Sequence, residues 1–199
     1  MKSKHSRLLA GAVLIAYTSN PAFYDLAMAD FNEAIRLDPK YARAFRGRGR
    51  LYELMKDPSR ALADYTEAIR LDPKDETTYE VRSRVYQQKG DYDRQIADLT
   101  EVLRIRKLDL SIYNERGRAY LARGDLDRAI ADFSEAIRLK GTQPDRWYFL
   151  EERAEAYLAR GDYDRAIADF DAVISLARDY EPARKNRATA IEKAKLSNK

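Results

Sequence analysis

Surface chemistry needs residues that titrate, ligate or attack, and this chain offers carboxylates and arginines with little else. There are 37 Lys+Arg against 33 Asp+Glu, one histidine and no cysteine in 199 residues. The missing thiols exclude disulfides, zinc–thiolate sites, thiol catalysis and a lipidated N-terminal cysteine. The one histidine, His5, lies in the N-terminal tail. A Ser-His-Asp constellation and a histidine-rich metal site are therefore impossible farther along the chain. The carboxylates recur at fixed register: Asp30, Asp64, Asp98, Asp132 and Asp169 share one place, and Arg48, Arg82, Arg116, Arg153 and Arg187 share another. A catalytic pair must be unique, whereas these groups repeat, so the chain reads as a non-enzyme with no cofactor, metal or small-molecule substrate. The net charge of +4 is a mild excess on a densely charged surface and does not by itself require nucleic acid.

Five aspartates and five arginines invite a ladder. Pairing across repeat junctions joins Asp30 to Arg48, Asp64 to Arg82, Asp98 to Arg116, Asp132 to Arg153 and Asp169 to Arg187. Pairing inside a repeat is the alternative, and it strands Asp30 and Arg187. The junction scheme is the expectation. Glu33/Arg36, Glu67/Arg70, Glu101/Arg104 and Glu135/Arg138 stand three residues apart and read as solvated pairs on an outer helix face.

The elements that must position these groups are helical hairpins. In residues 110–143, Tyr113, Arg116, Gly117 and Tyr120 form one helical stripe and Ala129, Phe133 and Ala136 a second. Gly117 and Ala129 are small where two helices must approach. Gly124 suits the left-handed residue that ends a helix, and Asp125 caps the next. The pattern recurs: Ala27, Ala61, Gln95, Ala129 and Ala166 follow one another at steps of 34, 34, 34 and 37 residues. A fixed period near 34 marks an array of helical repeats. Together with Gly49/Tyr52/Ala61/Tyr65/Ala68/Pro73 and Gly117/Tyr120/Ala129/Phe133/Ala136, it makes residues 20–195 resemble the tetratricopeptide repeat (TPR) family.

The register divides the chain into a half repeat (23–41), four repeats (42–75, 76–109, 110–146 and 147–180) and a C-terminal capping helix with tail (181–199). Repeat 76–109 is the most degenerate, with Ser83, Gln95 and Leu99 in the glycine, alanine and aromatic slots, and it should be the least stable. The extra residues Pro144-Asp145-Arg146 should start the next first helix about one turn early, with Thr142 as its cap. Residues 1–22 have two readings. Lys2, Lys4 and Arg7 before the apolar run Leu8–Tyr17 fit a secretory signal, which makes the protein exported or periplasmic. The same run also fits a first helix packed on the half repeat, in a cytoplasmic protein. The run is too short to span a membrane.

The resemblance implies an all-α fold, a right-handed superhelical solenoid whose first helices line a concave groove for a peptide or protein segment. Mapped onto this chain, the groove carries Arg43, Arg46, Arg50, Arg84, Gln87, Asn114 and Arg118, then Tyr148, Glu151 and Glu155. It is expected to be basic toward repeat 42–75 and acidic-aromatic toward repeat 147–180, so that an acidic segment or a terminal carboxylate lies in one direction along it. The paired asparagines of the family's chaperone-tail clamp are absent. Anion or nucleic-acid binding through the arginine-lined half is the alternative function.

Overall fold

The computed structural model describes residues 21–197, which form ten α-helices and no strand. The helices are α1 (Pro21–Leu37), α2 (Ala42–Leu54), α3 (Pro58–Leu71), α4 (Glu76–Gln88), α5 (Tyr92–Arg106), α6 (Leu110–Arg123), α7 (Leu126–Lys140), α8 (Trp147–Arg160), α9 (Tyr163–Leu176) and α10 (Glu181–Ser197). They fall into two compact units, one through Gly90 and one from Asp91. Both readings of residues 1–22 rest on Leu8–Tyr17, which lies outside the described residues. Among the described residues no helix is long and apolar enough to cross a membrane.

Local chemistry sets each helix boundary. Asp57, Asp91 and Asp125 accept the backbone N–H three residues on, from Arg60, Arg94 and Arg128, which satisfies a donor the helix cannot pair itself. Pro58 opens α3, where its missing N–H costs nothing. Gly124 and Gly161 close α6 and α8 in the left-handed conformation, with φ of 83° and 84°.

Repeat 76–109 lacks the proline that follows α1 and α3 (Pro39 and Pro73), and Lys107 ends α5 with φ of 59°. Three extra residues do add a turn before α8, but it is a 3-10 turn, Pro144–Arg146. Thr142 is not its cap. Gln143 stands at that position without a side-chain bond, and Asp145 pairs with Lys140 at 2.6 Å.

In the N-terminal unit α2 packs against α1 and α3, and α3 against α4. Phe31, Ala44 and Leu51 fill one core and Ala61, Tyr65, Val81 and Val85 the next. In the C-terminal unit α5 through α10 pack successively. Phe133 and Phe170 are fully buried there among Ala129, Ala154 and Ala166. Close approach explains the glycine slot: a Cβ on Gly117 falls 2.8 Å from Phe133 and one on Gly49 falls 2.7 Å from Tyr65. Ser83 occupies that slot in α4 by turning its hydroxyl onto the Glu80 carbonyl at 2.8 Å.

The junction ladder is not what forms. Arg48 bonds Asp64, Arg116 bonds Asp132 and Arg153 bonds Asp169, each inside its own hairpin and each by Nε and Nη2 at 2.7–2.8 Å. The antiparallel hairpin sets the seventh residue of the first helix directly against this aspartate, so the guanidinium meets the carboxylate two-pronged. Its remaining Nη1 reaches back to the preceding repeat: to Asn32 from Arg48, Thr66 from Arg82, Thr100 from Arg116 and Ser134 from Arg153. Among the described residues no helix follows α10, and Arg187 bonds Asp171 in the backward slot at 2.5 Å. Asp30, which precedes the first complete hairpin, is exposed.

The four outer-face pairs form as expected, at 2.6–2.8 Å. A further set was not foreseen. Arg123 joins Asp93 to Asp125, and Arg160 joins Asp127 to Asp162, at 2.6–2.9 Å along the hairpin turns.

Candidate functional site

The first helices α2, α4, α6 and α8 begin at Ala42, Glu76, Leu110 and Trp147. Their fifth residues are Arg46, Glu80, Asn114 and Glu151, and their ninth are Arg50, Arg84, Arg118 and Glu155. Positions four apart share one face of a helix. This face carries the residue types that change from repeat to repeat, while the seventh and eighth residues beside it close and pack the hairpin.

In the N-terminal unit the face is basic. Arg46 is committed to Asp75, which also accepts from Thr78. Arg43, Arg50 and Arg84 are exposed, and among the described residues none of the three forms an ion pair. Arg84 makes only a 3.4 Å contact from Nε to the Glu80 carbonyl of its own helix. Gln87 is exposed one turn on. Beneath them the hydroxyl of buried Tyr65 donates to Glu53, and burial with that bond pushes its pKa up. The charges of Arg50 and Arg84 both oppose that rise.

In the C-terminal unit the face is acidic and aromatic. Arg118 donates from Nη1 to the Tyr148 hydroxyl at 3.1 Å and stands 3.6 Å from Glu152. Glu151 is only 8% exposed. Burial raises its pKa, against the bond it accepts from Tyr180, and Glu152 adds to the rise. Glu155 is raised first by partial desolvation and then by Glu151 and Glu152. The Tyr180 hydroxyl is pushed up to about 12, chiefly by its bond to Glu151. Trp147 lies 4.9 Å from Tyr180 and 6.3 Å from Tyr148, ring centre to ring centre. Asn186 of α10 approaches Glu155 at 3.5 Å. Asn114 is 8% exposed, and its buried Oδ1 has no hydrogen-bond partner.

The structure thus divides the ten expected residues between two local groups, and it shows Arg46 already engaged. Asp75, Glu152, Trp147, Tyr180 and Asn186 belong to these groups and were not foreseen. The aromatic run at 147–149 and the carboxylate pair at 151–152 were the available signals. Two shallow clefts lie elsewhere, at turns 123–127 and 160–164, and Arg123 and Arg160 on their walls are already paired. Among the described residues no cluster of side chains suits a metal ion.

Helical hairpins repeated at this period, presenting a variable face on an invariant frame, define a helical-repeat interaction protein. Sequence models described as "Tetratricopeptide repeat" match residues 42–75, 80–144 and 114–181, and the chain belongs to that family. No curated protein matches it. Among solved structures it is similar to YrrB, described as a TPR protein with an unusual peptide-binding site: 17% identity, 92% of this chain, 88% of that one, TM-score 0.74. It is also similar to MamA from Desulfovibrio magneticus RS-1, at 18% identity, 89% of this chain, 96% of that one and TM-score 0.72. A third is the Naa15/Naa10 complex bound to HypK, at 20% identity, 89% of this chain but 28% of that one, TM-score 0.69. These likenesses are of fold.

Proposed function

We propose that this protein is a non-enzymatic interaction scaffold whose first-helix face holds a peptide or protein segment with an acidic stretch or a terminal carboxylate. The observation that carries the reading is the contrast among arginines in the N-terminal unit. Arg36, Arg46, Arg48, Arg60 and Arg70 all have carboxylate partners, whereas Arg43, Arg50 and Arg84 share one exposed face and have none among the described residues. Guanidiniums left unpaired on a preformed surface are ready for carboxylates, which they bind two-pronged. The peptide-binding description of YrrB supports the same kind of ligand.

Calorimetry with a hexaglutamate peptide tests this. Arg50→Glu with Arg84→Glu should weaken binding by about tenfold or more, while Arg70→Glu with Arg104→Glu on the outer face should change it by less than about twofold. Equal losses from the two double variants overturn the reading. An amidated C-terminus separates recognition of the terminal carboxylate from that of side chains. A single-stranded oligonucleotide binding more tightly than the peptide, with affinity falling steeply with salt, moves the assignment to nucleic acid.

A further inference from the structure

The basic helix α2 also carries an acid. Glu53 follows Arg50 by three places, and residues so spaced are neighbours on a helix surface. Elsewhere such neighbours pair: Arg36, Arg70, Arg104 and Arg138 each bond the glutamate three residues before them. In α2 the order is reversed, which weakens a pair of this kind without abolishing it. Among the described residues Arg50 nevertheless forms no ion pair.

Glu53 is held instead by Tyr65. This tyrosine is fully buried, and its hydroxyl donates to Oε2 of the Glu53 carboxylate. A hydrogen bond to an ionised acceptor is stronger than one between neutral groups, and fixing one oxygen fixes the direction of the other. The charges of Arg50 and Arg84 are both felt at that hydroxyl, so the bond lies within the field of the exposed guanidiniums.

Register points the same way. The slot of Tyr65 holds Phe31, Leu99, Phe133 and Phe170 in the other second helices, none with a hydroxyl. Packing alone does not call for one, since Phe133 and Phe170 are fully buried without it. The twelfth residue of the first helix is Glu53 in α2 but Gln87, Leu121 and Leu158 in α4, α6 and α8. The hydroxyl and the acid thus occur together, in the hairpin that bears Arg43 and Arg50.

We propose that Tyr65 is a positioning residue: it holds the Glu53 carboxylate away from Arg50 and so keeps the basic face open to an acidic segment. The proposal rests on the acidic-segment reading and adds how that face avoids neutralising itself. Without the hydroxyl, Glu53 turns to its neighbour, and a ligand carboxylate must displace it.

Tyr65→Phe removes only the hydroxyl, and phenylalanine at the equivalent positions keeps a hairpin packed. In calorimetry this variant of the full chain should bind hexaglutamate about twofold more weakly than the parent, and adding Glu53→Gln should restore the affinity. Glu53→Gln should matter less in the parent than in Tyr65→Phe, a coupling that loosened packing does not produce. Side-chain NMR gives a readout without ligand: the Arg50 Nε–H signal should shift in Tyr65→Phe and return in the double variant. An unmoved Arg50 signal, or an equal effect of Glu53→Gln in both backgrounds, overturns the positioning role. A parent that does not bind hexaglutamate, with the Arg50 signal still moving, overturns the acidic-segment reading and supports the restraint of Glu53.

Discussion

Arg50 in the N-terminal unit and Glu155 in the C-terminal unit are the same residue of the repeat, the ninth of a first helix, with opposite charge. Two residues earlier Arg48 and Arg153 are identical, and each closes its hairpin on an aspartate in the same way. One residue earlier Gly49 and Ala154 are both small and buried. The frame is thus fixed by three kinds of contact: a small residue under an aromatic ring, an arginine clasping an aspartate, and an aspartate at the turn. The neighbouring face enters none of them. A repeat can reverse the charge it shows without disturbing what folds it, and that separation lets one scaffold carry a basic face in one unit and an acidic face in the other.

The largest expected effect breaks the shared frame. Arg116→Leu leaves Asp132 buried without its partner and should cost about 3–5 kcal/mol in denaturant unfolding. Arg48→Leu should do the same to the N-terminal unit. Replacing both partners, Arg116→Leu with Asp132→Leu, should recover most of the loss. A cost below about 0.5 kcal/mol for Arg116→Leu would show that the clasp carries no stability.

The next effect sharpens the contrast between faces. Burial and then Glu152 raise the pKa of Glu151, and partial desolvation with Glu151 and Glu152 raises that of Glu155. A carboxyl raised in the folded state supports folding while protonated. Its contribution is present below the ordinary carboxylate range and is lost as pH rises through the raised value. Stability measured by urea unfolding at rising pH should therefore decline less in Glu151→Gln than in the parent, and identical profiles would exclude the effect. Glu67 and Glu135 have the opposite sign. Bonds from Arg70 and Arg138 lower them, so their contribution is present at neutral pH and fades as pH falls. These pairs are exposed and give the smallest effect: Arg70→Ala should shift the urea midpoint least of these variants and should leave hexaglutamate binding unaltered.

The repeat itself was legible in the sequence because packing residues must recur wherever the same two helices meet. Ala61, Tyr65, Ala129 and Phe133 announce the hairpin by spacing alone, and Asp57 and Asp125 announce the turn. The arginine's partner was not legible at that level. Asp30 lies 18 residues before Arg48 and Asp64 lies 16 after it, and only the depth at which an antiparallel hairpin sets its helices side by side chooses between them. The clue overlooked was the small polar residue two places beyond each aspartate: Asn32, Thr66, Thr100, Ser134 and finally Asp171. The candidate sites were half legible. Face positions followed from helical register, but the commitment of Arg46 depends on Asp75, 29 residues away.

The three-armed arginine has a thermodynamic consequence. In an array of repeats, stability is usually written as one term for each repeat and another for each interface. Here one guanidinium contributes to both, holding its own second helix with two nitrogens and the preceding repeat with the third. When a hairpin opens, it takes its neighbour's interface bond with it. Within the C-terminal unit, loosening at Arg153 is felt at Ser134, and loosening at Arg116 is felt at Thr100. Nearest-neighbour coupling of this kind makes partial opening of a single repeat rare. Melting of the unit is then closer to falling dominoes than to independent fraying.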